Sequence, residues 1–451
     1  MNPAQQSSLQ VNISHKQILG MALPIAASIV VPQINFIINN IFLSGLGQRE
    51  LGVAGITGVY YLVFAVIGMG FNSGLQTLIS RRAGQNDEKG IGIVFTQAFR
   101  LVMIMSVLGI GLTYLVAPTV LGWAMSDASN VDLAVDFLKI RIWGLPFLFI
   151  YQMRNGLLVG INQTKLLVLG TATEAIINVV FDYGLIYGKL GMPELGFNGA
   201  AYASILSEVA GLGVIYWIVK QKGIQKRFAL LSDLKYDASA TKTLLVQSSP
   251  LIAQHAISII SWEFFYILIE HHGATDLAIS NIMRNIFGFF GCFTWAFAST
   301  TNTMVSNVIG QEQSNLVPKL IWRIIQWSTG FACVIALFLN VFPELWLSIY
   351  GQDEEFIQRA IPVLRVVSGA LIVMSFSVVW MNAVVGSGNP RIALFAEMGA
   401  IILYCLYVYF VLEVWNMSIV WGWGSEWIYW ISLLVPCFWY MNTNNWKGKK
   451  V

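Results

Sequence analysis

TATEAIINVVFDYGLIYG, residues 171–188, is apolar enough to sit in lipid, yet it carries Glu174, Asn178 and Asp182. The three are spaced i, i+4, i+8, so on a helix they form one polar stripe roughly 12 Å long. An ionisable group inside a membrane span costs at least ~2.5–3.5 kcal/mol, so it faces a partner or a water-filled cavity and marks an ion or substrate path. No other stripe of this kind occurs in the chain. It reads as the element that handles an ion.

Composition sets the class. Of the 451 residues, 56% are hydrophobic and only 11% charged, against about 25% charged in soluble domains. Apolar runs of membrane-spanning length recur along the whole chain, the signature of a polytopic membrane protein. A net charge of +3 says nothing about nucleic acid, because the basic residues sit between apolar runs and form no patch, and no nucleic-acid partner is expected. The polar N-terminus MNPAQQSSLQVNISHK has no small-residue cleavage site, so the first apolar run is expected to stay as a span. Cys292, Cys333, Cys405 and Cys437 lack metal-ligand spacing and read as buried small hydrophobes.

Twelve spans are predicted, near 17–44, 53–79, 91–118, 136–160, 166–188, 197–219, 244–270, 277–304, 320–347, 360–386, 392–413 and 427–441. The longest polar stretch, residues 220–243, holds six of the 26 Lys and Arg. It divides an N-terminal six-helix lobe, 1–219, from a C-terminal one, 244–451. The halves are copies: Pro24 and Pro250, Gly47 and Gly273, Ser80 and Ser306, Gly84 and Gly310 each lie 226 residues apart. GINQTK at 160–165 matches GSGNPR at 386–391 at the same offset. Repeats of six spans keep one orientation, so the expected architecture is all-α, two six-helix lobes related by a pseudo-twofold axis along the membrane normal, with a cleft between them. Sixteen basic residues fall in one set of loops and six in the other, which predicts both termini in the cytoplasm.

The quoted motifs resemble the MATE (multidrug and toxic compound extrusion) transporters. The resemblance rests on ALPIAASIVVPQ…NNIFLSGLGQRELGVAG at 22–55, RRAGQ after the second span and NVVFDYGLIYGKLGMPELGFNGAAYAS at 178–204. It implies a secondary antiporter of the cell's inner membrane that exports organic, often cationic, compounds in exchange for H⁺ or Na⁺. It also implies that the family's fifth-span Asn and Asp fall on Asn178 and Asp182, and its sixth-span hydroxyl on Ser204. Its first-span Asp falls on Asn39, which cannot ionise. Acidic residues that some members carry in the seventh and tenth spans fall near Ser258 and Met374. If sodium is the coupling ion, Asn39, Asn178, Asp182 and Ser204 would supply its oxygens; a proton needs only a carboxylate.

Hairpin spacing refines the candidates. Arg154 and Glu174 lie at similar depth on the fourth and fifth spans, which predicts an ion pair that leaves Asp182 as the free carboxylate. Glu263 and Arg284 stand in the same relation in the second half, with Glu263 alternatively an independent proton carrier; Glu397 in the eleventh span is a further carboxylate. Tyr60, Tyr61, Phe64, Trp262, Phe287 and Trp295 are candidate cleft residues, suited to flat cations through cation–π attraction. WGWGSEWIYW at 421–430 reads as an interfacial aromatic belt.

A lipid-linked oligosaccharide flippase of the same superfamily would share the two-lobe layout, but would be expected to have extra spans or a basic cleft for pyrophosphate. An enzyme would need a nucleophile–base or metal constellation, and no H-x-x-x-H or Cys/His cluster is present. A channel fits poorly with carboxylates confined within lobes. The expectation is a monomeric multidrug antiporter in a lipid bilayer, with a small organic substrate, no cofactor beyond its coupling ion, and no enzymatic activity.

Overall fold

Lipid offers backbone N–H and C=O groups no partners, so long apolar segments must close their hydrogen bonds internally as helices. In the computed structural model, residues 9–125, 127–351 and 353–449 are described, and these contain helices, turns and no strand. The first half holds α1 (His15–Ser44), α2 (Gln48–Gly84), α3 (Glu88–Ala124), α4 (Ala128–Arg141), α5 (Leu145–Gly160), α6 (Lys165–Tyr187), α7 (Gly196–Gln221) and the one-turn α8 (Ile224–Arg227). The second half holds α9 (Ala238–Glu270), α10 (Ala274–Gly310), α11 (Val317–Val341), α12 (Pro343–Ser348), α13 (Glu354–Gly386), α14 (Pro390–Val408), α15 (Ile419–Gly422) and α16 (Ser425–Asn442).

The short turns α8, α12 and α15 aside, and with α4 and α5 joined through a 3₁₀ turn at Ile142–Gly144, these make the twelve predicted spans. Nine of the described helices are long and apolar enough to cross a membrane by themselves. The fourth span misses that standard because the turn breaks it in two. α10 is rich in Ser, Thr and Asn, and the 18 residues of α16 include Glu426, Asn442 and several Trp and Tyr. Some helix ends shift by several residues: α2 runs on to Gly84 where 79 was expected, and α11 stops at Val341 where 347 was expected.

The repeat is written into the backbone. α2 and α10 begin and end 226 residues apart, and so do the ends of α1 and α9, and of α5 and α13. Turn conformations recur at the same offset, with positive φ at Gly47 and Gly273, Asn86 and Glu312, Asn162 and Gly388, and Leu190 and Asn416. Glu312 and Leu190 adopt a left-handed conformation that disfavours their side chains, so the turn geometry persists where the residue type has drifted.

The chain forms two compact units. The first-half unit comprises Ala27–Arg82 and Asp87–Val246; within it α6 packs along α7, and α3 against α4 and α5. Residues 223–235 dock on α3: Phe228 is buried, its carbonyl oxygen would stand 2.1 Å from a Cβ on Gly92, and Gln97 donates to the Lys235 carbonyl at 2.9 Å. The second-half unit comprises Met1–Ala26, Ala83–Asn86 and Gln247–Val451. α13 is its axis, packed by α10, α11 and α16, with 67% of its membrane window enclosed by protein. The segment before α1 is held there by side-chain amides. Asn307 accepts from the Val11 N–H at 3.1 Å and donates to the Leu9 carbonyl at 3.0 Å, and Gln311 donates to the Val11 carbonyl at 2.9 Å.

Apolar side chains also point outward, such as Leu108 and Leu115 on α3, 67% and 79% exposed. That is the expected surface for a protein whose solvent is lipid. Cys292 and Cys437 are buried as expected, whereas Cys405 is half-buried and Cys333 exposed, because it lies on the outer face of α11.

Candidate functional site

In the first-half unit, the polar stripe of α6 faces a second one on α1. Asn178 and Asp182 are both almost fully buried, 2% and 1% exposed. Asn35, one turn before Asn39 on α1, donates its Nδ2–H to Asn178 Oδ1 at 2.7 Å. α1 and α6 are also pinned further along, where the Tyr187 hydroxyl donates to the Phe42 carbonyl at 2.5 Å. Around this contact several buried polar atoms have no protein partner: both carboxylate oxygens of Asp182, Asn178 Nδ2, Asn35 Oδ1 and Asn39 Oδ1. Asn198 Oδ1, in the first turn of α7, is in the same condition. α7 crosses α6 at van der Waals distance there, since a Cβ on Gly199 would stand 2.6 Å from the Leu185 carbonyl oxygen. A buried polar group without a hydrogen bond is costly. Of the six atoms, five are oxygens, so the region is short of donors and suits a proton or a cation.

Sequence reasoning identified Asn39, Asn178 and Asp182 but missed Asn35, although its i, i+4 spacing to Asn39 put both on one face. Ser204 lies half-buried on α7. Among the described residues, neither Ser204 nor Asn39 hydrogen-bonds to Asn178 or Asp182.

The expected Arg154–Glu174 ion pair is not formed. Arg154 is buried, donates Nη2 to Asn155 Oδ1 at 2.9 Å and lies over the Tyr151 ring at 4.3 Å; its Nε and Nη1 have no hydrogen-bond partner. Glu174 is half-buried beside Gly211 and stays within electrostatic reach of Arg154 and Arg141. The buried pair of this unit is instead Arg141 with Glu208, on α4 and α7, at 2.5 Å. Hairpin spacing compares only consecutive spans, and this pair joins non-consecutive ones. Tyr61 caps it, with the Arg141 guanidinium carbon 4.1 Å from its ring centroid. Gly144 makes room for it, since a Cβ there would meet Arg141 Nη1 at 2.1 Å.

In the second-half unit, Glu263 and Arg284 also form no ion pair. Glu263 is exposed, and Arg284 lies over the Tyr266 ring at 4.9 Å. An exposed Glu263 fits poorly as an enclosed proton carrier. Glu397 is enclosed, 1% exposed, and accepts hydrogen bonds from the hydroxyls of Ser258 and Tyr429 and from Gln254 Nε2. Glu426, which sequence reasoning passed over as part of an aromatic belt, is 4% exposed and accepts from Trp430 Nε1 at 3.0 Å.

The candidate cleft aromatics divide between the units. Tyr60 and Tyr61 each lie within 6.5 Å of Phe64 with their rings tilted against it, and the Tyr60 hydroxyl donates to Thr113 at 3.2 Å. In the second-half unit Trp262 packs edge-on to Tyr266, Phe287 is buried, and Trp295 is 40% exposed against Trp430. Phe64 and Phe287 therefore read as packing residues, while Trp295 keeps a free face.

Comparison with known proteins agrees with the two-half helical fold. The MatE family profile matches residues 24–184 and again 250–410, once in each half. A probable multidrug resistance protein NorM of Thermotoga maritima is 23% identical over 378 residues, 83% of this chain and 80% of its own. Another, from Synechocystis sp., is 26% identical over 223 residues, so that the chain spans about half, 48%, of that relative's length. Among solved structures, a crystal structure of MATE in complex with MaL6 superposes with a TM-score of 0.89 at 18% identity, covering 98% of this chain and 99% of the other. An outward-facing multidrug resistance MATE family transporter of the MOP superfamily gives a TM-score of 0.88 at 19% identity, covering 97% of each. With the profile matched twice, at the offset the turns already display, the chain belongs to the MatE family of transporters.

Proposed function

We propose that this protein is an ion-coupled antiporter that exports small organic compounds, cationic ones among them, with Asp182 as its coupling carboxylate. One observation carries the reading. Asp182 is 1% exposed in a membrane span and neither of its oxygens has a hydrogen-bond donor. Such a group is poised to exchange a proton or a cation. That relatives are named multidrug resistance proteins supports the substrate class. The protein works as a monomer in the cell's inner membrane with both termini cytoplasmic; the distribution of basic residues favours that orientation.

The proton is the preferred coupling ion. Asn39 replaces a carboxylate, and the oxygen of Asn178 is already engaged by Asn35, which leaves the unpartnered Nδ2 as its free end. A hard cation prefers several anionic or carbonyl oxygens, and Asp182 brings the single formal charge of the stripe's buried end. If sodium were carried, Asp182, Asn39, Asn178 and Ser204 would have to turn their oxygens toward it.

Uptake of a fluorescent cation into inside-out vesicles tests the reading. Accumulation is expected under an imposed proton gradient without sodium, and Asp182→Asn is expected to abolish it. Uptake that survives a collapsed proton gradient and stops when sodium is removed would overturn proton coupling.

A further inference from the structure

We propose that Glu397 is a second proton-binding site, enclosed within the second-half unit, which loads and unloads alongside Asp182. The proposal rests on the antiport reading above.

Glu397 sits on α14 between α9 and α16. Its Oε1 accepts from the hydroxyls of Ser258 and Tyr429, and its Oε2 from Gln254 Nε2 at 3.4 Å. Gln254 also reaches the Met381 sulfur on α13 at 3.0 Å. Every titratable or charged group that faces it is acidic or neutral: Tyr429, Glu426 and Cys437 from α16, and Tyr404 from α14 itself, whose ring lies 5.9 Å from that of Tyr429. His255 on α9 makes no hydrogen bond to it among the described residues. The cations nearest along its own helix belong to that helix's first turn and its cap. Arg391 is exposed, and Lys449 bonds to Asn389, roughly 9–12 Å away along the helix at 1.5 Å per residue. Glu208 in the first-half unit is neutralised by Arg141; Glu397 has no such partner. A carboxylate enclosed in a lipid-embedded bundle without a counter-ion is most simply neutralised by a proton.

The surrounding bonds accommodate both states. Ser258 Oγ lies within reach of two acceptors, Glu397 Oε1 and the Gln254 carbonyl at 3.0 Å, but its hydroxyl carries one hydrogen. With Glu397 ionised, that hydrogen points to the carboxylate. When a proton arrives and forms the carboxyl O–H, the Ser258 hydroxyl turns to the Gln254 carbonyl and its oxygen accepts from the new acid. Release reverses the turn. Neither Glu397 nor Ser258 is orphaned in either state, which is what a carrier needs and a purely structural carboxylate does not. The Tyr404 hydroxyl, 3% exposed and without a hydrogen-bond partner, shows that the region still holds uncommitted polar atoms.

The test counts protons. Purified protein in weakly buffered detergent solution, with a pH-indicator dye, is titrated with tetraphenylphosphonium. Wild type is expected to release about twice as many protons per cation bound as either Asp182→Asn or Glu397→Gln, because each variant keeps one of two linked sites. The double variant is expected to release none, and Glu397→Asp to restore the wild-type count. Glu397→Gln releasing as many protons as wild type, with Asp182→Asn reduced, would overturn the second site and leave the first standing. Wild type releasing none would overturn proton coupling itself. Should Glu397→Gln not fold, Asp182→Asn decides: with Asp182 gone, continued release supports the proposal, and no release overturns it.

Discussion

Arg141 and Glu208 meet at two points, Nη2 to Oε1 at 2.5 Å and Nη1 to Oε2 at 3.3 Å, between helices that are not neighbours in the chain. Both side chains are nearly buried, 13% and 8% exposed. The pair holds α4 to α7 just before the break at Ile142–Gly144.

Removing one partner leaves the other as an uncompensated charge in a lipid-embedded core. Glu208→Gln or Arg141→Gln is therefore expected to cost about 3–5 kcal/mol. The double change to Leu recovers much of the loss, read by thermal unfolding in detergent. Glu174→Gln, which breaks no ion pair, is expected to cost less than Glu208→Gln. Equal losses at Glu174 and Glu208 would contradict the pairing.

At the α1–α6 contact, Asp182→Asn is expected to abolish efflux while the protein still reaches the membrane folded. Asn35→Ala removes the donor to Asn178, one hydrogen bond worth about 1 kcal/mol, and so is expected to slow efflux by roughly 5-fold. Drug-resistance and vesicle-uptake assays check both. Normal pumping by Asp182→Asn would show that the site lies elsewhere.

Docking of residues 223–235 on α3 depends on Gly92, where a side chain would strike the Phe228 carbonyl. Gly92→Ala is expected to lift the segment and free its backbone for trypsin, which cuts after Lys222, Lys226 and Arg227, whose side chains are already exposed. Cleavage at least several-fold faster than in wild type is the expected readout; an unchanged rate would mean that the segment does not need this contact.

Asn307 binds both the N–H of Val11 and the carbonyl of Leu9. Asn307→Ala removes two hydrogen bonds to this segment, about 1 kcal/mol each. Hydrogen exchange at the Val11 amide is expected to rise sharply, with the α10 amides unaffected.

The twelve helices, the repeat and its offset of 226 were legible in the residues, because lipid imposes long apolar helices and a duplicated fold keeps its turns in register. Asp182 stood out for the same reason: a carboxylate is conspicuous where every apolar neighbour is cheap and it is not. Asn35, which bonds to Asn178, was within reach of the same helical spacing, one turn before Asn39. Pairing between spans was a different matter. Equal depth in a hairpin nominated Arg154 with Glu174 and Glu263 with Arg284, yet depth says nothing about rotation of each helix around its own axis. Only packing turned Arg141 toward Glu208, stacked Arg154 on Tyr151 and Arg284 on Tyr266, and left Glu263 outside. Packing likewise brought Ser258, Gln254 and Tyr429, from helices far apart in sequence, onto Glu397. One-dimensional order sets which residues are buried in lipid; which of them touch is decided by how the helices turn to fill space.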